Sequence, residues 1–303
     1  MTEYHIWPGH PVAAEIKRIV REEITAAAGA LSGADKADRD VAIHEVRKSL
    51  KKIRGVLRLM EPELGEIFKL ENSLFRDIGR QLAPMRDAGA IVEAFDELRK
   101  RRRSELDGRL MTRIRHRLQA RKALGEKQAN VAEVMGNVMV ALERSAARVR
   151  AWPLSRDGFG AIAEGLDDTL RSGEKAMARA KKRGKPEDYH DWRKRVKEHW
   201  YHTRLLKNVW DSAFEGYEKR LKDLERTLGD DHNLVVLADT LAGASEVFGS
   251  NAEVRSVVKA IGDTRKELSG RAFESGEEIY KEKSRHFTRR VRRLWNTWQK
   301  PPS

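Results

Sequence analysis

One register constrains this chain more than any other feature: a polar pattern returns 146 positions downstream without a gap. The segment HEVRKSLKKIRGVLR at 44–58 is matched by HDWRKRVKEHWYHTR at 190–204. The match pairs His44 with His190, Arg47 with Arg193, Lys48 with Lys194, Lys51 with Lys197 and Arg58 with Arg204. The same offset pairs Ile16 with Ile162, Asp77 with Asp223, Arg80 with Arg226 and Leu82 with Leu228. One offset held across several segments marks an internal duplication, so the second half is expected to repeat the fold of the first.

At about 100° per residue, His44, Arg47, Lys48, Lys51, Gly55 and Arg58 all fall within about 60° of His44 on a helix. Val46, Leu50, Ile53 and Leu57 gather on the other side, so this helix has a dry face and a cationic face. In the second copy Arg193, Lys194, Lys197, Tyr201 and Arg204 keep the same angles from His190, while Trp192, Val196 and Thr203 face away. No segment shows sustained apolar and polar alternation, and no Val- or Ile-rich run is bounded by turns, so strands find no support. The predicted class is all-α: two duplicated bundles of four to five helices each, related by a pseudo-twofold that can bring the cationic faces opposite one another.

Along the chain, residues 1–10 form an N-terminal segment, 11–152 the first repeat, 153–299 the second and 300–303 a tail. Pro11 suits a helix start, and Val12 to Leu31 has helical composition. Asp38 or Asp40 is expected to cap the basic helix, which should stop near Met60 because Pro62 disfavours helical geometry before it. A third helix is expected over about 64–82, and a fourth from a cap at Asp87 to about Arg103. Two more should fill 109–152, with a break marked by Gly125 or Gly136. The second half should give a helix over about 159–182, a Gly184-Lys185-Pro186 break and the second basic helix over 188–209. The run Asp230-Asp231-His232-Asn233 is expected to cap a helix beginning at that point.

Lys and Arg number 61 against 47 Asp and Glu, a net charge of +14 that favours polyanionic partners: nucleic acid, polyphosphate or an anionic membrane surface. The absence of cysteine excludes disulfides, thiolate catalysis and cysteine-based zinc sites. Neither a secretory leader nor an apolar run long enough to span a bilayer is visible, so a cytoplasmic, non-membrane protein is expected.

The duplicated faces set the chemistry. Guanidinium forks match phosphate oxygens, lysines supply mobile point charges, and histidine titrates near neutrality. Carboxylates are scarce on both faces, so a bound anion, rather than pairing within the chain, is expected to relieve the like charges. With these residues, HEVRKSLKKIR at 44–54, HDWRKRVK at 190–197 and the turns LAPMRDAG at 82–89 and LGDDHNL at 228–234, the chain resembles the conserved-histidine α-helical domain (CHAD) family over about residues 11–299. The resemblance implies two helical bundles around a basic central channel, binding of inorganic polyphosphate, and neither catalysis nor a cofactor. Carried over by position, it implies His44, Arg47, Lys48, Lys51 and Arg58 on one wall, with His190, Arg193, Lys194, Lys197 and Arg204 on the other. Tyr201 shares the second stripe. Arg54, Arg76, Arg80, Arg86, Lys207 and Arg226 are candidates from neighbouring turns and helices. Such binding is expected to direct the protein to polyphosphate granules.

Other readings fare worse. A nucleic-acid-binding module suits the charge but lacks helix-turn-helix, zinc-finger and RNA-binding signatures. A phosphohydrolase or phosphotransferase using His44 or His190 lacks a clustered carboxylate metal site. His199 and His202 are three apart, yet lie off the cationic stripe without a third ligand, so packing is expected and no metal. His44-Glu45 starts like a zinc-protease motif, but Lys48 stands where the second histidine is required. Phosphate-loop and dinucleotide glycine fingerprints are absent, as is the E-x-E-x-K pattern of triphosphate-tunnel enzymes. Trp295 and Trp298 are expected to pack on a bundle rather than stack on bases.

Overall fold

The structure, a computed structural model, describes residues 3–33, 38–128, 130–210 and 214–299, apart from the side chains of 85–87, 125–128 and 215. In the first half come α1 (Val12–Ser32), α2 (Arg39–Leu59), α3 (Glu61–Leu64), α4 (Glu66–Gln81), α5 (Ala83–Arg101), α6 (Gly108–Gln128) and α7 (Val131–Val149). The second half holds α8 (Gly160–Arg183), α9 (Pro186–Leu205), α10 (Glu215–Ala242), α11 (Ser245–Phe248), α12 (Asn251–Ile279) and α13 (Ser284–Trp298), with a 3-10 turn Lys207–Val209 after α9. Among the described residues there is no strand. The basic segments lie on α2 and α9.

The dry side of α2 explains its place. Val46, Leu50, Ile53, Val56 and Leu57 are each buried, and burial contributes roughly 1.5–3 kcal/mol per large apolar side chain. Beside them, Lys52 pairs with the buried Glu23 of α1, which also accepts from Ser49 Oγ at 2.8 Å. A buried pair of this kind fixes register more than it adds stability. After α8, Gly184 takes the left-handed conformation at φ 65° and closes the helix before Pro186 starts α9.

Three boundaries differ from the sequence expectation. Asp87 is not a cap: α5 begins at Ala83 with Pro84 in its first turn, where the missing N–H costs nothing. Gly125 and Gly136 both lie inside helices, and the break falls between Gln128 and Val131. The run Asp230 to Asn233 is no cap and no turn, because α10 passes through it unbroken. The offset places Asp230 opposite Pro84, so the residue that interrupts the first repeat is missing from the second. Asp231 is instead buried and holds Arg265 of α12 at 2.8 Å.

Burial is not divided between the two halves of the chain. One cluster takes apolar residues from α1, α2, α4, α7, α8, α9, the first part of α10 and α13. A second takes Phe95 and Leu98 of α5, Ile114 and Leu118 of α6, Leu237 and Leu241 of α10, Phe248 of α11 and Val257 of α12. Trp295 is buried 5.9 Å from Phe159, and Trp298 lies 5.1 Å from Trp295, so both tryptophans pack on the helices. Along α10, Leu228 belongs to the first cluster and Leu234 to the second, and His232 and Asn233 between them line the site described next.

Candidate anion-binding site

Two glycines let α2 pack closely on its neighbours. A Cβ on Gly55 of α2 would come within 2.9 Å of Tyr201 Cβ on α9, so only glycine permits this approach. His202 is fully buried beside it, and its Nε2 lies 2.8 Å from the Gly55 carbonyl, which requires the Nε2–H tautomer as donor. On the other flank, a Cβ on Gly165 of α8 would meet the Leu59 carbonyl oxygen at 1.8 Å. Helix α2 is thereby clamped between α8 and α9. Gly55 and Tyr201 are also partners in the 146-residue offset, so the helices touch at equivalent positions.

On the N-terminal side of this crossing the helices enclose a cavity of about 490 Å³. His44, Arg47, Lys51 and Arg54 of α2 line one side, and His190, Arg193, Lys194 and Lys197 of α9 the other. Ala90, Ile91 and Glu93 of α5 and His232, Asn233 and Val236 of α10 complete the wall. The His190 and His232 rings lie 4.6 Å apart at 35°. His190 Nδ1 and Arg193 Nε are buried and have no hydrogen-bond partner among the described residues.

The scarcity of carboxylates expected from the sequence is corrected by Glu225 of α10. Its Oε1 accepts from Lys197 Nζ at 2.6 Å and from Arg193 Nη2 at 3.5 Å. Burial opposes its charge, but Lys197 and Arg193 outweigh burial and lower its pKa. Cations still dominate. Burial among protein atoms, reinforced by Lys197, Arg47 and Arg193, lowers Lys51 to about 7, although part of its surface is exposed. Lys197 is lowered as well, first by burial, with the Glu225 pair insufficient to cancel burial and Arg193. His190 falls below its ordinary value through burial, Lys194 and Arg193. Each of these groups is easier to protonate once an anion arrives.

The remaining candidates lie elsewhere. Lys48 is exposed and pairs with Glu45 at 3.0 Å. Arg58 pairs with Glu61, lies 3.6 Å from Glu198 and stacks 4.8 Å over Phe68. Arg204 stacks on Trp200 at 5.2 Å, and Tyr201 is buried at the crossing. Arg76 and Arg80 share Asp77 on α4 but contribute to the field that lowers Arg54, after burial. Lys207 lies in the 3-10 turn and acts on His5, and Arg226 acts on Glu97 and Asp230. The Arg86 side chain is outside the described residues. Sequence reasoning missed Glu225 and took His232 for part of a cap; the offset, setting Glu225 opposite Gly79, was the available signal. His199 and His202 are buried packing residues, and no cluster able to hold a metal occurs among the described residues. Nor is any described helix long and apolar enough to cross a membrane.

No curated protein matches the chain. The fold is shared with solved structures, among them the following two. PptA from Streptomyces chartreusis superposes with a TM-score of 0.60 at 15% identity, covering 90% of this chain and 100% of its own. The CHAD domain from the plant Ricinus communis superposes with a TM-score of 0.55 at 14% identity, covering 95% and 94%. The CHAD domain family profile matches residues 18–242, which include both basic helices and the cavity between them, and this chain therefore belongs to the CHAD family.

Proposed function

We propose that the chain binds inorganic polyphosphate in the cavity between α2 and α9, without a chemical step, and that this binding directs it to polyphosphate deposits. The observation that carries the reading is the meeting of equivalent basic residues: His44 and His190, Arg47 and Arg193, and Lys51 and Lys197 line one cavity from opposite helices. A linear polyanion offers phosphates to both sides at once, and its binding releases condensed counterions, as on a nucleic-acid backbone. The guanidinium groups and lysines supply charge-assisted hydrogen bonds to phosphate oxygens.

Competition tests the reading. Labelled long-chain polyphosphate is displaced by unlabelled polyphosphate, duplex DNA, single-stranded RNA, triphosphate or pyrophosphate at near-physiological salt. Long-chain polyphosphate is expected to compete best, and the labelled chain to be recovered intact. Nucleic acid competing equally well, or a shortened chain in the product, would overturn the proposal.

A further inference from the structure

The last helix carries more positive charge than its place in the fold requires. The 146-residue offset lays α13 on α7, and their buried positions agree: Thr288, Val291 and Trp295 stand where α7 buries Leu142, Ser145 and Val149. Their supports agree as well, since α7 packs on α1 and α13 on α8, which the same offset equates. The outer faces differ. Arg285, Arg289 and Arg293 form one exposed row about 12 Å long, where α7 carries Met139, Glu143 and Ala147. Helix α13 itself holds no carboxylate, and Glu282 just before it pairs with Arg290. On α8, Asp167 and Asp168 pair with Arg171, and Glu164 with Arg156. Among the described residues the side chains of Arg285, Arg289 and Arg293 make neither a hydrogen bond nor an ion pair.

We infer that the outer face of α13 is a second polyphosphate-binding surface, so that one molecule holds two stretches of chain at once. The inference rests on the polyphosphate reading of the cavity above. The Phe287 ring of α13 lies 5.7 Å from that of His199, and His199 is about 180° around α9 from His190. Helix α13 therefore sits across α9 from the cavity, and what it takes is a separate stretch of the same or another chain. Like charges four residues apart repel one another until an anion arrives, and a row of three suits a linear polyanion better than a single phosphate. Other polyanions fit less well. Base stacking needs exposed aromatic rings, whereas Phe287 and Trp295 are buried and Trp298 is half-buried. A helix lying in a membrane surface needs a free apolar side, and that of α13 is covered by α8 and its neighbours. Nor does packing need the arginines, because α7 holds the equivalent place without them.

The test is a sandwich on the full chain. Protein is captured on beads carrying long-chain polyphosphate, washed, and offered fluorescent long-chain polyphosphate, with fluorescent single-stranded RNA and phosphatidylglycerol vesicles in parallel arms. The wild type is expected to recruit the labelled polyphosphate. The triple variant Arg285→Gln, Arg289→Gln and Arg293→Gln is expected to stay on the beads through the cavity but to recruit about tenfold less label, the scale of one charge-assisted contact. Arg289→Glu with Arg293→Ala, which gives α13 the pattern of α7, should do the same, and it decides alone if circular dichroism shows the triple variant misfolded. Recruitment at the wild-type level by either folded variant overturns the second surface, as does a wild type that is retained but recruits nothing. RNA or vesicles recruited equally well, and lost with the same arginines, would overturn polyphosphate as the partner of this face. A wild type that the beads do not retain overturns the function on which the inference rests.

Discussion

Lys51 combines two properties that rarely coincide on a lysine: it lines a cavity, and burial among protein atoms, with Lys197, Arg47 and Arg193 beside it, makes its charge costly. With its pKa in the free protein lowered to about 7, Lys51 is increasingly neutral above that pH. A phosphate beside it raises the pKa again, so binding above pH 7 takes up a proton. Polyphosphate affinity should therefore fall as pH rises above about 7, by at most about tenfold per pH unit for this one group. Lys51→Arg keeps the charge at every such pH and should flatten the decline, which titration at several pH values would measure. A decline as steep in Lys51→Arg would assign the effect to other groups. The helical stripe made His44, Arg47 and Lys51 legible from sequence, because angle about the axis follows from spacing alone. It could not show that Lys48 turns to Glu45 or that Arg58 covers Phe68, since those choices depend on local partners.

At the scale of elements, the crossing of α2 and α9 decides how much of each stripe is usable. Beyond Gly55 and Tyr201 the helices are in contact, so Arg58, Arg204 and Lys207 lie past the end of the cavity although the periodicity carries on through Arg58 and Arg204. Sequence spacing fixes faces but not the point at which two faces close. Gly165 is the second such contact, and Gly165→Ala would drive a Cβ into the Leu59 carbonyl, where neither side is a flexible side chain. The variant should lose about 1–3 kcal/mol of stability or more, measured by denaturant unfolding. Wild-type stability in Gly165→Ala would show that α2 and α8 separate without cost. The unbroken α10 has a legible cause in retrospect: without a proline at 230, helix is the default, whereas the capping residues Asp230 and Asn233 suggested a start. Capping types occur inside helices when a tertiary partner claims them, as Arg265 claims Asp231.

For the whole molecule, helical periodicity without any strand pattern pointed to the all-helical class, but did not show the distribution of the core. Hydrophobic periodicity says which side of a helix is dry without saying which helix covers it, and here both apolar clusters draw on both halves of the chain. The cavity sits where α10 passes from one cluster to the other, so both repeats are needed to enclose it. The central claim is that one polyanion is held by α2 and α9 together. It is tested most directly by measuring polyphosphate affinity against salt for two variants, Arg47→Gln with Lys51→Gln and Arg193→Gln with Lys197→Gln, with helical content checked by circular dichroism. Each should weaken binding and lower the slope of log affinity against log salt, by up to about two for two lost phosphate contacts, with helicity unchanged. Wild-type affinity and slope in either variant would contradict a site shared between the two repeats.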